Sequence, residues 1–162
     1  MFEKNCLVAD LTTARCWSIA SMTQPHAHGG MVTLDKVVYV FGGETWFDTP
    51  TSWCENYEAG ANEWIEIPPL PVPSSGMGAT TLRGKIYVVG AKLEKILELN
   101  PGDSSYHMLP MLNPLPIPYA KSILSTGYSL LVFCDKDREN TIEVYPEGES
   151  IGYIDYSPFS RG

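Results

Sequence analysis

The feature that most constrains this chain is residues 31–43, MVTLDKVVYVFGG: an apolar run, a polar break at Asp35-Lys36, and a second apolar run closed by two glycines. It reads as two antiparallel strands joined by a tight turn. The pattern returns at residues 77–91, MGATTLRGKIYVVGA, with Arg83-Gly84-Lys85 as the break, and more weakly at residues 122–134, SILSTGYSLLVFC. A pattern recurring at near-constant spacing marks a repeat architecture, in which each unit buries its apolar faces against the next.

A second marker sets the register of the repeat. Each strand pair is followed by two further strand-like segments, at 53–58 and 63–67, at 94–99 and 105–109, and at 140–145 and 149–154. In each unit an apolar anchor ends the third strand, a polar turn follows, and a bulky residue opens the fourth: Tyr57 and Trp64, Leu99 and Tyr106, Val144 and Ile151. With Trp17 these bulky residues recur about every 45 residues, close to the period of propeller blades. Residues 5–10 and 16–19 read as two strands around a Thr-Thr-Ala-Arg turn, without the first pair before them. The segments between units are rich in proline, which cannot donate to a sheet ladder, and no stretch sustains helical periodicity. The expected division is therefore residues 1–19 as the last two strands of a preceding blade, 20–67, 68–109 and 110–154 as three blades, and 155–162 as a linker.

The second strands carry the packing argument. VVYVF, IYVV and LLVF are apolar at consecutive positions, where a half-exposed strand would alternate. Both faces of each sheet must be covered. A radial array, in which each sheet is sandwiched between two neighbours, does this economically. The expected fold class is all-β, with four-stranded antiparallel sheets arranged as blades of an incomplete ring.

These residues resemble the kelch-repeat β-propeller family, whose pattern is a strand ending in paired glycines, then a tyrosine, then a tryptophan. Gly42-Gly43, Tyr57 and Trp64 carry it in full. The second unit departs from it with Gly90-Ala91, Leu99 and Tyr106, and the third departs further with Cys134-Asp135, Val144 and Ile151. The resemblance implies a scaffold that binds a partner protein through the loops at one end of the blades, as a substrate adaptor or cytoskeletal adaptor in the cytoplasm. On this chain those loops hold His26, His28, Glu44, Trp46 and Asp48 in the first blade, Lys92 in the second, and Tyr119, Lys121 and Arg138 in the third. Of the neighbouring aromatics, Phe47 is expected to fold back over its own blade. Kelch rings commonly have six or seven blades, so the resemblance also implies either an excerpt of a longer ring or a homodimer that completes one. Two alternatives stand beside this reading: a galactose-oxidase-like or sugar-acting enzyme on the same scaffold, and a fragment without independent function.

Composition narrows the partners. With 11 basic and 19 acidic residues the net charge is −8, a field that repels phosphate backbones, so nucleic acid is not expected. No apolar run approaches the roughly 20 residues of a membrane-spanning helix. Cys6, Cys16, Cys54 and Cys134 form no close pair and are expected as small apolar residues in a reducing compartment, although Cys6 and Cys16 could face each other across a hairpin. His26 and His28 alternate, so in a strand both imidazoles would face one way, but no neighbouring ligand completes a metal site. The carboxylates Asp135, Asp137 and Glu139, mixed with Lys136 and Arg138, read as a solvated loop. No catalytic motif occurs, and neither a catalytic residue, a metal nor a cofactor is expected.

Overall fold

A computed structural model describes residues 4–109, 120–134, 140–144 and 151–155; at residues 120–121, 140–144 and 151–155 it describes the backbone alone. Among these residues there is no helix. The chain forms a hairpin of β1 (Cys6–Asp10) and β2 (Arg15–Ile19), followed by three four-stranded antiparallel sheets. The first sheet contains β3 (Gly30–Leu34), β4 (Val37–Phe41), β5 (Cys54–Glu58) and β6 (Glu63–Ile67). The second contains β7 (Gly78–Leu82), β8 (Lys85–Val89), β9 (Leu97–Asn100) and β10 (Ser105–Met108). The third contains β11 (Ala120–Ser125), β12 (Leu130–Cys134), β13 (Asn140–Val144) and β14 (Ile151–Asp155). In every sheet the strands pair in chain order, the meander of a propeller blade. The ring is not closed among the described residues.

Local chemistry explains the hairpins. Asp35 and Lys36 both take positive φ, 50° and 68°, as do Arg83 and Gly84, 51° and 75°. Two consecutive left-handed residues make the turn whose twist matches that of the flanking strands. The β1–β2 turn is held differently: the Asp10 carboxylate accepts from the amides of Thr12 and Thr13 and from the Thr13 hydroxyl. This turn pairs Cys6 with Ile19 and Cys16 with Ala9. The two cysteines are thus offset along the ladder rather than opposite one another, and all four cysteines are free thiols. Cys54 alone is fully buried, whereas Cys16 is exposed, because it lies on a two-stranded hairpin with little to cover it.

The sheets stack through their innermost strands, with β7 lying between β3 and β11. Glycine permits the close approach. A Cβ on Gly78 would come within 2.9 Å of the Ser122 backbone, and one on Gly30 within 3.1 Å of Met77. These contacts align the starts of the first strands, so the loops that precede them emerge at a common end.

The two-faced second strands behave as their composition requires. On β4, Tyr39 and Phe41 pack toward the second sheet while Val40 packs toward the hairpin, beside Tyr57 and Trp64. On β8, Ile86 and Val88 join the core shared with the first sheet, and Tyr87 and Val89 join Leu130 and Val132 in the core shared with the third. Each large side chain so buried contributes roughly 1.5–3 kcal/mol.

In the first and second sheets the fourth-strand aromatics fasten the sheet to the element before it. The Trp64 indole donates to the carbonyl of Ala20, just past β2, at 2.9 Å, and the Tyr106 hydroxyl donates to that of Pro68, just past β6, at 2.8 Å. Burial, followed by the adjacent Cys54 thiol, pushes the Tyr106 hydroxyl far up, so it keeps its proton and remains a donor. The Tyr57 ring lies 5.1 Å from that of Trp64, and its hydroxyl bonds the Asn62 side chain at 3.0 Å. Tyr106→Phe removes only the hydroxyl and Trp64→Phe replaces the indole by a smaller ring; each loses the hydrogen bond to the preceding sheet, so each is expected to cost about 1 kcal/mol or more in denaturant unfolding. Unchanged midpoints in both would mean that the fastening contributes nothing.

Candidate functional site

The end of the first blade is built on its paired glycines. Gly42 and Gly43 take φ of 55° and 98°, and their amides donate to Trp53 O at 2.9 Å and Ser74 O at 2.8 Å. Added Cβ atoms would lie 2.6 Å from Ser74 O and 2.6 Å from Ala27 O respectively, so conformation and space both demand glycine. In the second blade Gly90 has no positive φ, but a Cβ there would strike Met77 Sδ and Ser74 Oγ. Only side chains crowd that position, and Ala91 follows it where the first blade has Gly43.

From this corner three loops are tied together. Ala27 and Glu44 exchange backbone hydrogen bonds of 3.1 and 2.6 Å, Thr51 donates to Gly43 O, and Ser74 donates to Thr51 O. The linker that leads to β7 is thereby joined to the β4–β5 loop of the preceding sheet. Beyond the corner, Thr45 closes on Thr49 at 2.9 Å, and Phe47 and Asp48 take φ of 72° and 53°. This left-handed pair throws the Phe47 ring outward, 94% exposed, contrary to the expectation that it folds back on its blade. Trp46 is 39% exposed beside it.

The two histidines do not face one way. Residues 26–29 form a turn closed by Gly29 N to His26 O at 3.1 Å, and His28 has φ of 56°, so the alternation of a strand does not apply. The His28 ring is exposed and pairs with Glu44 at 3.1 Å. The His26 side chain is 1% exposed, which corrects its expected place on the partner-facing surface: it is part of the support beneath the loops.

That support contains a buried charge. Glu55, on β5, is fully buried and accepts from Thr23 N at 2.8 Å, Gln24 N at 2.9 Å and His26 Nε2 at 3.0 Å. The other His26 nitrogen, Nδ1, lies 2.6 Å from Gly42 O. Both ring nitrogens therefore face oxygens that only accept. Burial pushes the Glu55 carboxyl up, but the hydrogen bonds from His26, Thr23 and Gln24 outweigh it and hold the group below the usual range. The aligned positions of the other sheets are Leu97 and Ile142, so this clip belongs to the first blade alone.

In the second blade, Lys92 and Lys95 are exposed on the β8–β9 loop at the same end, and the buried Ser74 hydroxyl accepts from Lys92 N at 3.2 Å. Asp48 is exposed at the tip of its loop. Tyr119 and Arg138, with the Asp135, Asp137 and Glu139 loop, lie outside the described residues, and of Lys121 only the backbone is described. Among the described residues no three His, Cys, Asp or Glu side chains converge as a metal site, and no helix is long and apolar enough to cross a membrane. His107 is exposed on the outer strand and contacts Ser105 Oγ at 2.9 Å.

Comparison with known proteins converges on the same repeat. Residues 25–71, which hold the paired glycines and the Tyr57–Trp64 anchor, match the family described as Kelch motif. The chain is 32% identical to beta-scruin of Limulus polyphemus over 116 residues, 66% of this chain and 13% of that protein. It is 28% identical to human Kelch-like protein 41 over 138 residues, 77% of this chain and 22% of the relative. It is 27% identical to the cowpox virus Kelch repeat and BTB domain-containing protein 1 over 149 residues, 84% of this chain and 26% of the relative. The chain thus spans about a quarter or less of the length of these relatives.

The Glu55 clip has a pH signature. Because the native carboxyl is held low, the unfolded chain takes up the proton first, and the contribution present above the ordinary glutamate range, about pH 4.3, is lost as pH falls through it and through the lowered native value. Glu55→Gln is expected to lower stability by roughly 3 kcal/mol at neutral pH. The gap to the wild type is expected to narrow on acidification in melts taken from pH 7 to pH 3. A gap that stays constant or widens would contradict the clip.

Proposed function

We propose that this chain, which belongs to the kelch-repeat family, acts as a protein-binding scaffold in the cytoplasm and recognises its partner through the loops at the common end of its blades. The observation that carries the reading is the β4–β5 loop. Two aromatics, Trp46 and Phe47, stand exposed on a segment whose base is fixed by Gly42, Gly43 and the buried His26–Glu55 clip. Large aromatic side chains on a rigid support are the usual anchors of protein interfaces, since they bury much area at little entropic cost. The exposed His28–Glu44 pair, Asp48 and Lys92 supply a polar rim around them. Tyr119, Lys121 and Arg138 belong to the third-blade part of the same proposed surface. The chemistry is that of an adaptor, of the substrate-receptor or cytoskeletal kind, and involves no catalytic group.

A homodimer is part of this proposal. On the β1–β2 hairpin Leu7, 67% exposed, shares the outward face with Ala9 and Cys16, a face that a second copy would cover.

Affinity capture from cell extract, followed by titration of each captured protein in purified form, tests the binding end. Trp46→Ala combined with His28→Ala is expected to weaken binding about tenfold or more while leaving the melting temperature unchanged, because both side chains are solvent-facing. Captured partners that bind this variant as tightly as the wild type would overturn the proposed site. Light scattering at micromolar concentration is expected to give twice the 17.9 kDa chain mass; a strictly monomeric, cooperatively folded species would remove the dimer from the proposal.

A further inference from the structure

At the same end of the second blade lies a groove of about 370 Å³ between the β6–β7 linker and the β8–β9 loop. Its floor is Leu93 and Leu97, both buried, and its walls include Val72 and Met108, which are 41% and 55% exposed. Lys92 and Lys95 stand on its rim with Glu94 between them. In a chain of net charge −8 this places two cations on one loop beside an apolar trough. Among the described residues neither ammonium has an ion-pair partner.

We infer that this groove docks a short acidic segment of a partner protein, seating an apolar side chain over Leu93 and Leu97 and its carboxylates against Lys92 and Lys95. The inference rests on the binding end proposed above and adds the chemistry of what binds there. Charge complementarity selects the occupant. A basic segment would bring its cations against two unpaired lysines. Glu94 sets the register, because the carboxylates of the segment must sit over the lysines on either side of it. The trough is also preorganised. Lys92 N is held by Ser74 Oγ, Leu93 N donates to Gly90 O at 3.0 Å, and Ala91 N donates to Ser75 O at 3.2 Å, so the loop and the linker that form its two sides are already joined.

The test is a phage-displayed library of random dodecapeptides selected on the whole chain, with the selected peptides then synthesised and titrated by fluorescence polarisation. The expected peptides combine Asp or Glu with a large apolar residue. They are expected to bind the Lys92→Glu/Lys95→Glu variant about tenfold or more weakly, to bind Met108→Glu similarly weakly, and to lose affinity as salt is raised. All three side chains are solvent-facing, and the melting temperatures of the variants show that each remains folded. Selection of no peptide, of peptides without acidic residues, or of peptides that bind the lysine variant undiminished would overturn the inference. Peptides indifferent to the lysine variant but lost on Trp46→Ala would overturn the groove while leaving the first-blade loops as the binding site. Binding that neither variant alters would overturn both.

Discussion

The structure depends on a requirement of its middle strands: β4 and β8 are apolar at consecutive positions, so neither can be stable unless a sheet lies against each of its faces. Tyr39 and Phe41 point one way and Val40 the other; Ile86 and Val88 point one way and Tyr87 and Val89 the other. No single blade satisfies this alone. Stability therefore resides between sheets as much as within them, as in other repeat architectures. The backbone devices serve that stacking. Gly30 and Gly78 let the inner strands approach, and Trp64 and Tyr106 each reach back to a carbonyl at the exit of the preceding sheet. In the first two sheets two different residue types perform one task, each presenting a large ring with a donor at its edge.

The same corner that joins the sheets also supports the candidate binding surface. Gly42 and Gly43 occupy left-handed conformations in a space that excludes side chains, and through them Ser74 of the next linker is fixed to the loop of the preceding blade. Beneath that loop, Glu55 draws the amides of Thr23 and Gln24 and the ring of His26 into one buried cluster. A buried carboxylate is costly unless its bonds are made, so the cluster specifies one arrangement of the loop rather than merely adding stability. Exposed aromatics carried on so constrained a base would lose little freedom on binding, which supports the proposed role of the loop.

Much of the fold was legible in the sequence because its strongest signals are local. Hairpin breaks, consecutive apolar residues in the second strands and the spacing of Tyr57 and Trp64 all act over a few residues. What escaped depends on backbone sign or on distant pairing. Nothing in the string PHAHGG announces that His28 is left-handed, and that one dihedral sends His26 inward and His28 outward. Phe47 likewise owes its exposure to a positive φ at Phe47 and Asp48. Glu55 shares the buried face of Tyr57, two residues on, and the partner that makes a carboxylate tolerable there is a histidine 29 residues earlier. A polar residue on the anchor-bearing face of a third strand, where the other units carry Leu97 and Ile142, is the signal that could have found it. The offset of Cys6 and Cys16 follows from the four-residue turn between β1 and β2, whose length sets the ladder register.

Amide hydrogen exchange on the folded 162-residue chain tests the central claim most directly, since it reports protection strand by strand. If the second strands are clamped from both faces, the amides of β4 and β8 exchange most slowly and with similar opening free energies, while those of the outer strands β6 and β10 exchange faster. Middle strands that exchange as readily as the outer ones, or first and second sheets that open independently with unrelated free energies, would contradict an account in which the stacking of neighbouring sheets holds the molecule together.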